Sequence, residues 1–200
     1  MQVNFQEVLQ RPLKAFGQAP EVLVPALIAG LVNLAIDLIN RSAVAFVLAA
    51  FGSFVTFVCL AWGTLLLAKY LQGEEPDVLE SWRSISERAP NIVITAAITA
   101  LVVAFGAHFF VVLGVLLEAI LIMSMPHAAR ENVTFDKALP YALRFALQGL
   151  NFLVLLLYVA VAFGLAFIPY AGAVVSNIFL IVWVSHLYLT LGQKFVDRPA

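Results

Sequence analysis

The chain has 200 residues, of which 63% are hydrophobic and 12% charged, with a formal net charge of −1 and a mean hydropathy of +1.00. Soluble domains carry about twice that share of charge, so a water-soluble globule is excluded and lipid has to cover the apolar surface. The near-zero charge gives no argument for nucleic-acid binding, and the single cysteine, Cys59, rules out an intramolecular disulfide.

The first twenty residues are mixed polar and lack a leading apolar core, so no cleavable signal peptide is expected and internal segments direct insertion. Within them, Asn4-Phe5 opens a short polar stretch in which Phe5, Val8, Leu9 and Leu13 recur at helical spacing. A transmembrane helix needs about 20 apolar residues, and residues 22–39 satisfy that. Residues 43–71 do so with a turn or more to spare, and 43–68 contain no Lys, Arg, Asp or Glu. A second polar stretch opens at Asp77-Val78, with Val78, Trp82 and Ile85 on one stripe. Residues 91–125 follow, charge-free as far as Leu117. As one helix they would be roughly 50 Å long, too long for a hydrocarbon core of about 30 Å, so a hairpin breaking near Gly106-Ala107-His108 is predicted. A third polar stretch opens at Thr134-Phe135, with Phe135, Ala138, Leu139, Ala142 and Leu143 on its stripe. Residues 150–168 and 173–191 complete the spans, separated by Pro169-Tyr170-Ala171-Gly172.

The basic residues choose between five spans and six. With six, Arg11, Lys14, Lys69, Arg83, Arg88, Arg130, Lys137, Arg144, Lys194 and Arg198 share one side and only Arg41 lies on the other. The positive-inside rule then sets both termini in the cytoplasm, and the expected location is the plasma (inner) membrane. The expected fold is all-α: a polytopic integral membrane protein of six transmembrane helices in three hairpins, each preceded by an interfacial amphipathic helix. The three polar stretches each begin with a capping residue and carry Glu7, Glu80 or Asp136 in the first turn, where the helix dipole favours negative charge. The chain therefore reads as one membrane domain, residues 1–200, with internal copies over 4–71, 77–125 and 134–193.

The stretch Leu121-Ile122-Met123-Ser124-Met125-Pro126 is followed by Ala128, Ala129, Glu131 and Lys137-Ala138-Leu139, and Ile168-Pro169-Tyr170-Ala171-Gly172 comes later. In this layout the chain resembles a broad group of six-span bacterial and archaeal membrane proteins of unknown function. That group is similar to the membrane domain attached to some glycerophosphodiester phosphodiesterases. The resemblance implies a fold and no reaction, because no phosphodiesterase domain is present.

Polar groups at membrane depth are the candidate site. Glu118 lies among Leu116, Leu117, Ala119 and Ile120, and an ionised carboxylate at the bilayer centre is costly. It is expected to be neutral or to have an inward-facing partner, as a proton or cation site or as a hydrogen bond tying helices together. His186 is the expected partner, with Ser124 and Ser185 able to join; the competing reading puts His186 and Tyr188 in an interfacial band. Asn33 is expected to hydrogen-bond between helices, Asp37 to pair with Arg41 at the helix end, and Gly52, Ser53 and Gly63 to allow close packing. His108, in an outer turn, and His127, at the inner end, do not pair with His186 as haem ligands would. No catalytic residue, metal site or cofactor is expected: HExxH, GxSxG, paired intramembrane aspartates and phosphate loops are all missing. The functional expectation is a non-enzymatic membrane scaffold or accessory subunit. The alternatives are a small permease or proton-coupled transporter using Glu118, and a lipid-recognition module. The expected partners are the lipid bilayer and a protein partner or second copy.

Overall fold

The computed structural model describes residues 12–15, 17–39 and 44–193, and among them every regular element is helical. The first polar stretch lies largely outside the described residues, as do Asn4, Glu7 and Arg41; Leu13 is helical and exposed. A 3-10 turn, Pro20–Leu23, leads into α1 (Val24–Ile39), and α2 runs over Ala45–Leu71. Next come α3 (Val78–Glu87), α4 (Ala89–Phe109), α5 (Val111–Leu121), α6 (Ser124–Glu131), α7 (Phe135–Ala146), α8 (Asn151–Ala166) and α9 (Gly172–Leu187). A π-helical turn, Tyr188–Gly192, closes the described chain.

Five or six of these segments are long and apolar enough to cross a membrane. Pro20–Ile39, Ala45–Leu71, Ala89–Phe109, Val111–Glu131 and Gly172–Gly192 qualify individually. The sixth is α8 taken with α7, from which it is bent by 101°. Gly149 has φ of 55° at that bend, a left-handed conformation that glycine adopts without penalty.

The middle region folds back on itself, but its break is at Phe110 rather than at Gly106-Ala107-His108. Phe110 is extended, with φ −150° and ψ 120°, while α4 continues helically through Phe109. Gly106 acts as a packing residue: a Cβ there would lie 2.6 Å from Leu117 Cδ1 and 3.3 Å from the Gly114 nitrogen. Absence of a side chain permits close backbone approach as readily as a turn. Each arm also exceeds its expected length, because α4 starts at Ala89-Pro90 and the return arm continues through α6.

At the last turn, Tyr170 takes φ of 63° and is 93% exposed. Gly172 is required beside it, since a Cβ would collide with the Ala166 carbonyl oxygen.

Two hydrogen bonds fix the direction of α9 against α2. Thr56 meets Asn177 and Thr64 meets Ser185, each pair separated by 121 positions. A constant difference means that the two helices run parallel.

The packing forms a closed circuit. α2 packs on α4, α4 on α5, α5 on α8, α8 on α9, and α9 back on α2. α1 lies outside this ring against α2 and α9. α6 fills one end of it, packed on α2, α4 and α7, and its residues Ser124, Met125, Pro126, His127, Ala128 and Ala129 are all buried. α3 leans on α2 at that same end, through a Trp62–Trp82 ring contact of 4.9 Å and a Lys69–Glu80 ion pair of 2.5 Å. Its first turn is capped by Asp77, which accepts from the amides of Leu79 and Glu80 at 2.7 and 3.0 Å. Thr134 occupies the corresponding position before α7 without a side-chain cap bond.

Candidate functional site

Glu118 sits in α5 on the stripe that carries Gly114 and Leu121, which are buried. The opposite flank, with Val112 and Leu113, is exposed. Glu118 therefore points to the packed side of its helix, yet it retains partial exposure. Among the described residues its carboxylate has neither a hydrogen bond nor an ion pair.

The four expected site residues do not form one cluster. α5 packs on α4, α7 and α8, whereas α9, which carries Ser185 and His186, packs on α1, α2 and α8. His186 is 1% exposed and Tyr188 is fully buried, so both belong to the bundle and not to a band facing headgroups. Ser185 lies 2.9 Å from the Thr64 hydroxyl. Thr64 gives its own proton to the Leu60 carbonyl at 2.8 Å, which makes Ser185 the donor. Ser124, at the start of α6, is fully buried and its hydroxyl has no partner.

Three further groupings stand out. The first joins three helices. Asn33 donates from Nδ2 to Thr56 Oγ1 at 3.0 Å, Thr56 donates to Asn177 Oδ1 at 2.9 Å, and Asn177 donates to the Ala173 carbonyl at 2.8 Å. Asn33 is thus the helix-to-helix hydrogen bond expected of it. Gly52 makes room, since a Cβ there would strike Asn33 Oδ1, and Gly63 does the same against Ile181, where a Cβ would lie 2.7 Å from Cγ2.

The second grouping fastens α6. The His127 ring stacks on Tyr141 of α7, with centroids 3.8 Å apart and planes 12° from parallel. Its Nδ1 lies 3.3 Å from the Tyr188 hydroxyl. Arg88, between α3 and α4, donates to the carbonyls of Ala129 and Arg130 at the last turn of α6. Asn91 donates to the side chain of Asn132 at 3.1 Å, and Asn132 ends the helix in a left-handed conformation with φ of 50°.

The third is a pair of threonines on α4. Thr95 and Thr99 are 0% and 1% exposed, and their hydroxyls have no partner. Thr64 and Thr190 show the ordinary alternative, a bond to the carbonyl one turn earlier. Apart from Asn33, Gly52 and Gly63, sequence reading passed over the members of these groupings, because a Ser, Thr or Tyr within an apolar run looks the same whether its hydroxyl is satisfied locally or across a seam.

His108 packs its ring on Phe46, at 5.7 Å, at the C-terminal end of α4. Asp37 is exposed near the end of α1. Among the described residues, no three His, Cys, Asp or Glu side chains come together as a metal site would need.

Comparison with protein-family models, with curated proteins and with solved structures gives no match for this chain.

Proposed function

We propose that this protein is a non-enzymatic integral membrane scaffold or accessory subunit. We read it as six spans in three hairpins, with both termini on the cytoplasmic side of the plasma (inner) membrane. The observation that carries this reading is the Asn33–Thr56–Asn177 chain, supported by Thr64–Ser185. These polar side chains at membrane depth bond helix to helix, which is what a framework requires and a solute path does not. The topology rests on the ten-to-one division of Lys and Arg. The parallel course of α2 and α9 agrees with it, since both would then run inward. The layout shared with the six-span membrane group belongs to the same reading, as do the repeats over 4–71, 77–125 and 134–193. Mild-detergent extraction tests the function: a complex of fixed stoichiometry, with no solute flux by the purified protein in proteoliposomes, is expected. A monomer that carries a solute overturns it.

Two further readings each have an observation behind them. Glu118 keeps partial exposure on the packed side of α5, which favours a small permease. His186 would assist only through the intervening α8. Lipid recognition is favoured by α3 and α7 as an interfacial collar. They expose Leu79, Trp82, Leu143 and Leu147, with Arg83 and Arg144 beside them. The 101° angle between α7 and α8 suits a helix lying across a span. Equal binding to neutral and anionic vesicles would dispose of that reading.

A further inference from the structure

The seam between α4 and the α5–α6 arm contains polar groups that, among the described residues, no neighbouring side chain or carbonyl satisfies. Gly106 on α4 faces Gly114 and Leu117 on α5, and Gly114 faces Ala107, which fixes an antiparallel register. Thr99 and Thr95 lie seven and eleven residues before Gly106, on the same face of α4. They therefore look toward the return arm. Carrying the register inward brings Thr99 level with Leu121 and Ile122, about one turn from Glu118, and Thr95 level with Met125 and Pro126, beside Ser124. Thr95, Thr99 and Ser124 are each at most 1% exposed, and none of their hydroxyls has a partner. Glu118 is the one member of this set that retains exposure.

A buried hydroxyl without a partner is costly, and a native structure does not retain several without a reason. A threonine in a helix can end that cost by bonding to the carbonyl one turn earlier, as Thr64 does. Thr95 and Thr99 do not. Hydroxyls both donate and accept, so a row of them matches water, which needs two to four polar partners.

We propose that this seam is a hydrated site: water is bound in turn by the hydroxyls of Thr99, Thr95 and Ser124, with Glu118 about one turn from Thr99. The ligand class is water, and with it the proton, which passes along a chain of hydroxyls and waters without a bound metal. The inference deepens the permease reading of Glu118, but it does not need net transport.

Cysteine accessibility tests it on the full-length protein in mild detergent, in a Cys59→Ala background. Thr95→Cys and Thr99→Cys are compared with Ala96→Cys and Ala100→Cys, which replace buried residues of the same helix. The probe is a small, water-soluble methanethiosulfonate. It reacts with the thiolate, a form that needs water. The threonine positions are expected to react roughly tenfold faster than the alanine positions. Equal rates at all four overturn the proposal. Should a cysteine variant fail to elute as a single species, hydroxyl-radical footprinting of the unaltered protein gives the same decision. Oxidation is expected at buried Ile122 above that at buried Ile181, and equal oxidation overturns the proposal. Fast labelling without proton flux in proteoliposomes would sink the permease and leave the hydrated seam. Flux without labelling would sink the seam and leave the permease.

Discussion

Thr56 donates its hydroxyl proton to Asn177 Oδ1 at 2.9 Å across the α2–α9 interface, while itself accepting from Asn33. One hydroxyl thereby ties together three helices, and removing it leaves two amides short of a partner. Thr56→Val keeps the shape and deletes the bonds. We expect a loss of about 1 kcal/mol in detergent, the usual scale for interhelical hydrogen bonds in membrane proteins. Asn177→Ala should cost more, because it also opens a cavity. Since the two residues touch, the double variant should cost less than the sum of the singles. Additive losses in a thermal-unfolding cycle would show that the bond does not couple the helices.

How much of this could be read beforehand depended on whether the signal was local. The spans were legible because burial in lipid demands long charge-free runs, and α2 and α4 have them. Asp77 was legible as a cap because its side chain bonds only two and three residues ahead. The break at Phe110 was not, since Gly106 looks the same as a turn residue and as a packing residue. His127 and Tyr188 are 61 positions apart, and their contact depends on how α6 enters the ring. The pairing of Glu118 with His186 was inferred from depth alone. Depth gives no azimuth, and the two residues lie in different seams.

The end of α6 is held from outside. Arg88 supplies charged donors to two carbonyls that a helix end leaves without intrahelical partners. Arg88→Ala should destabilise the bundle by about 1–3 kcal/mol, since the carbonyls lose a charged donor within a partly buried site. Hydrogen exchange should rise over residues 124–131 more than over α9. A uniform rise across the chain would mean that the clamp has no local role.

Asp77 gives the pH dependence that can be stated with a sign. Its carboxyl is held below the ordinary value of 3.8, first by the Glu80 amide and with help from the Leu79 amide, Lys69 and Arg83. A lowered folded value means that the cap's contribution is fully present above the unfolded value and fades as pH falls through the folded one. The amide shifts of Leu79 and Glu80 should therefore titrate together with a midpoint below 3.8. Asp77→Asn should abolish that titration while keeping most of the helix. A midpoint at or above the ordinary value would contradict the capping geometry.

The six-span topology predicts opposite sides for two loops. Single cysteines replacing Arg41 and Lys137, with Cys59 removed, should be labelled from opposite faces of sealed vesicles, Lys137→Cys from the cytoplasmic one. Labelling of both from one face would require an odd number of crossings between α1 and α8 to be redrawn, and the ten-to-one charge division would lose its meaning.

Among the described residues Glu118 has no hydrogen bond to lose, and that decides the direction of its variants. A carboxylate that ties helices together would make Glu118→Leu destabilising. Here Glu118 faces the packed side of α5 and, among the described residues, has no partner, so a polar group against an apolar seam is a cost that leucine relieves. Replacing buried polar or ionic groups by apolar ones of similar size is often neutral or stabilising. Glu118→Leu should therefore raise the melting temperature in detergent, by the equivalent of about 1 kcal/mol. Glu118→Gln, which keeps shape and hydrogen-bonding capacity, should stay within about 0.5 kcal/mol of the parent. Natural proteins keep such destabilising groups where function needs them. If Glu118→Gln assembles normally yet abolishes pH-dependent flux in proteoliposomes, the carboxylate carries protons; if it keeps both assembly and activity, the group serves only as a polar side chain. A Glu118→Leu protein less stable than its parent would instead show that the carboxylate holds a bond within the bundle, contrary to the geometry of α5.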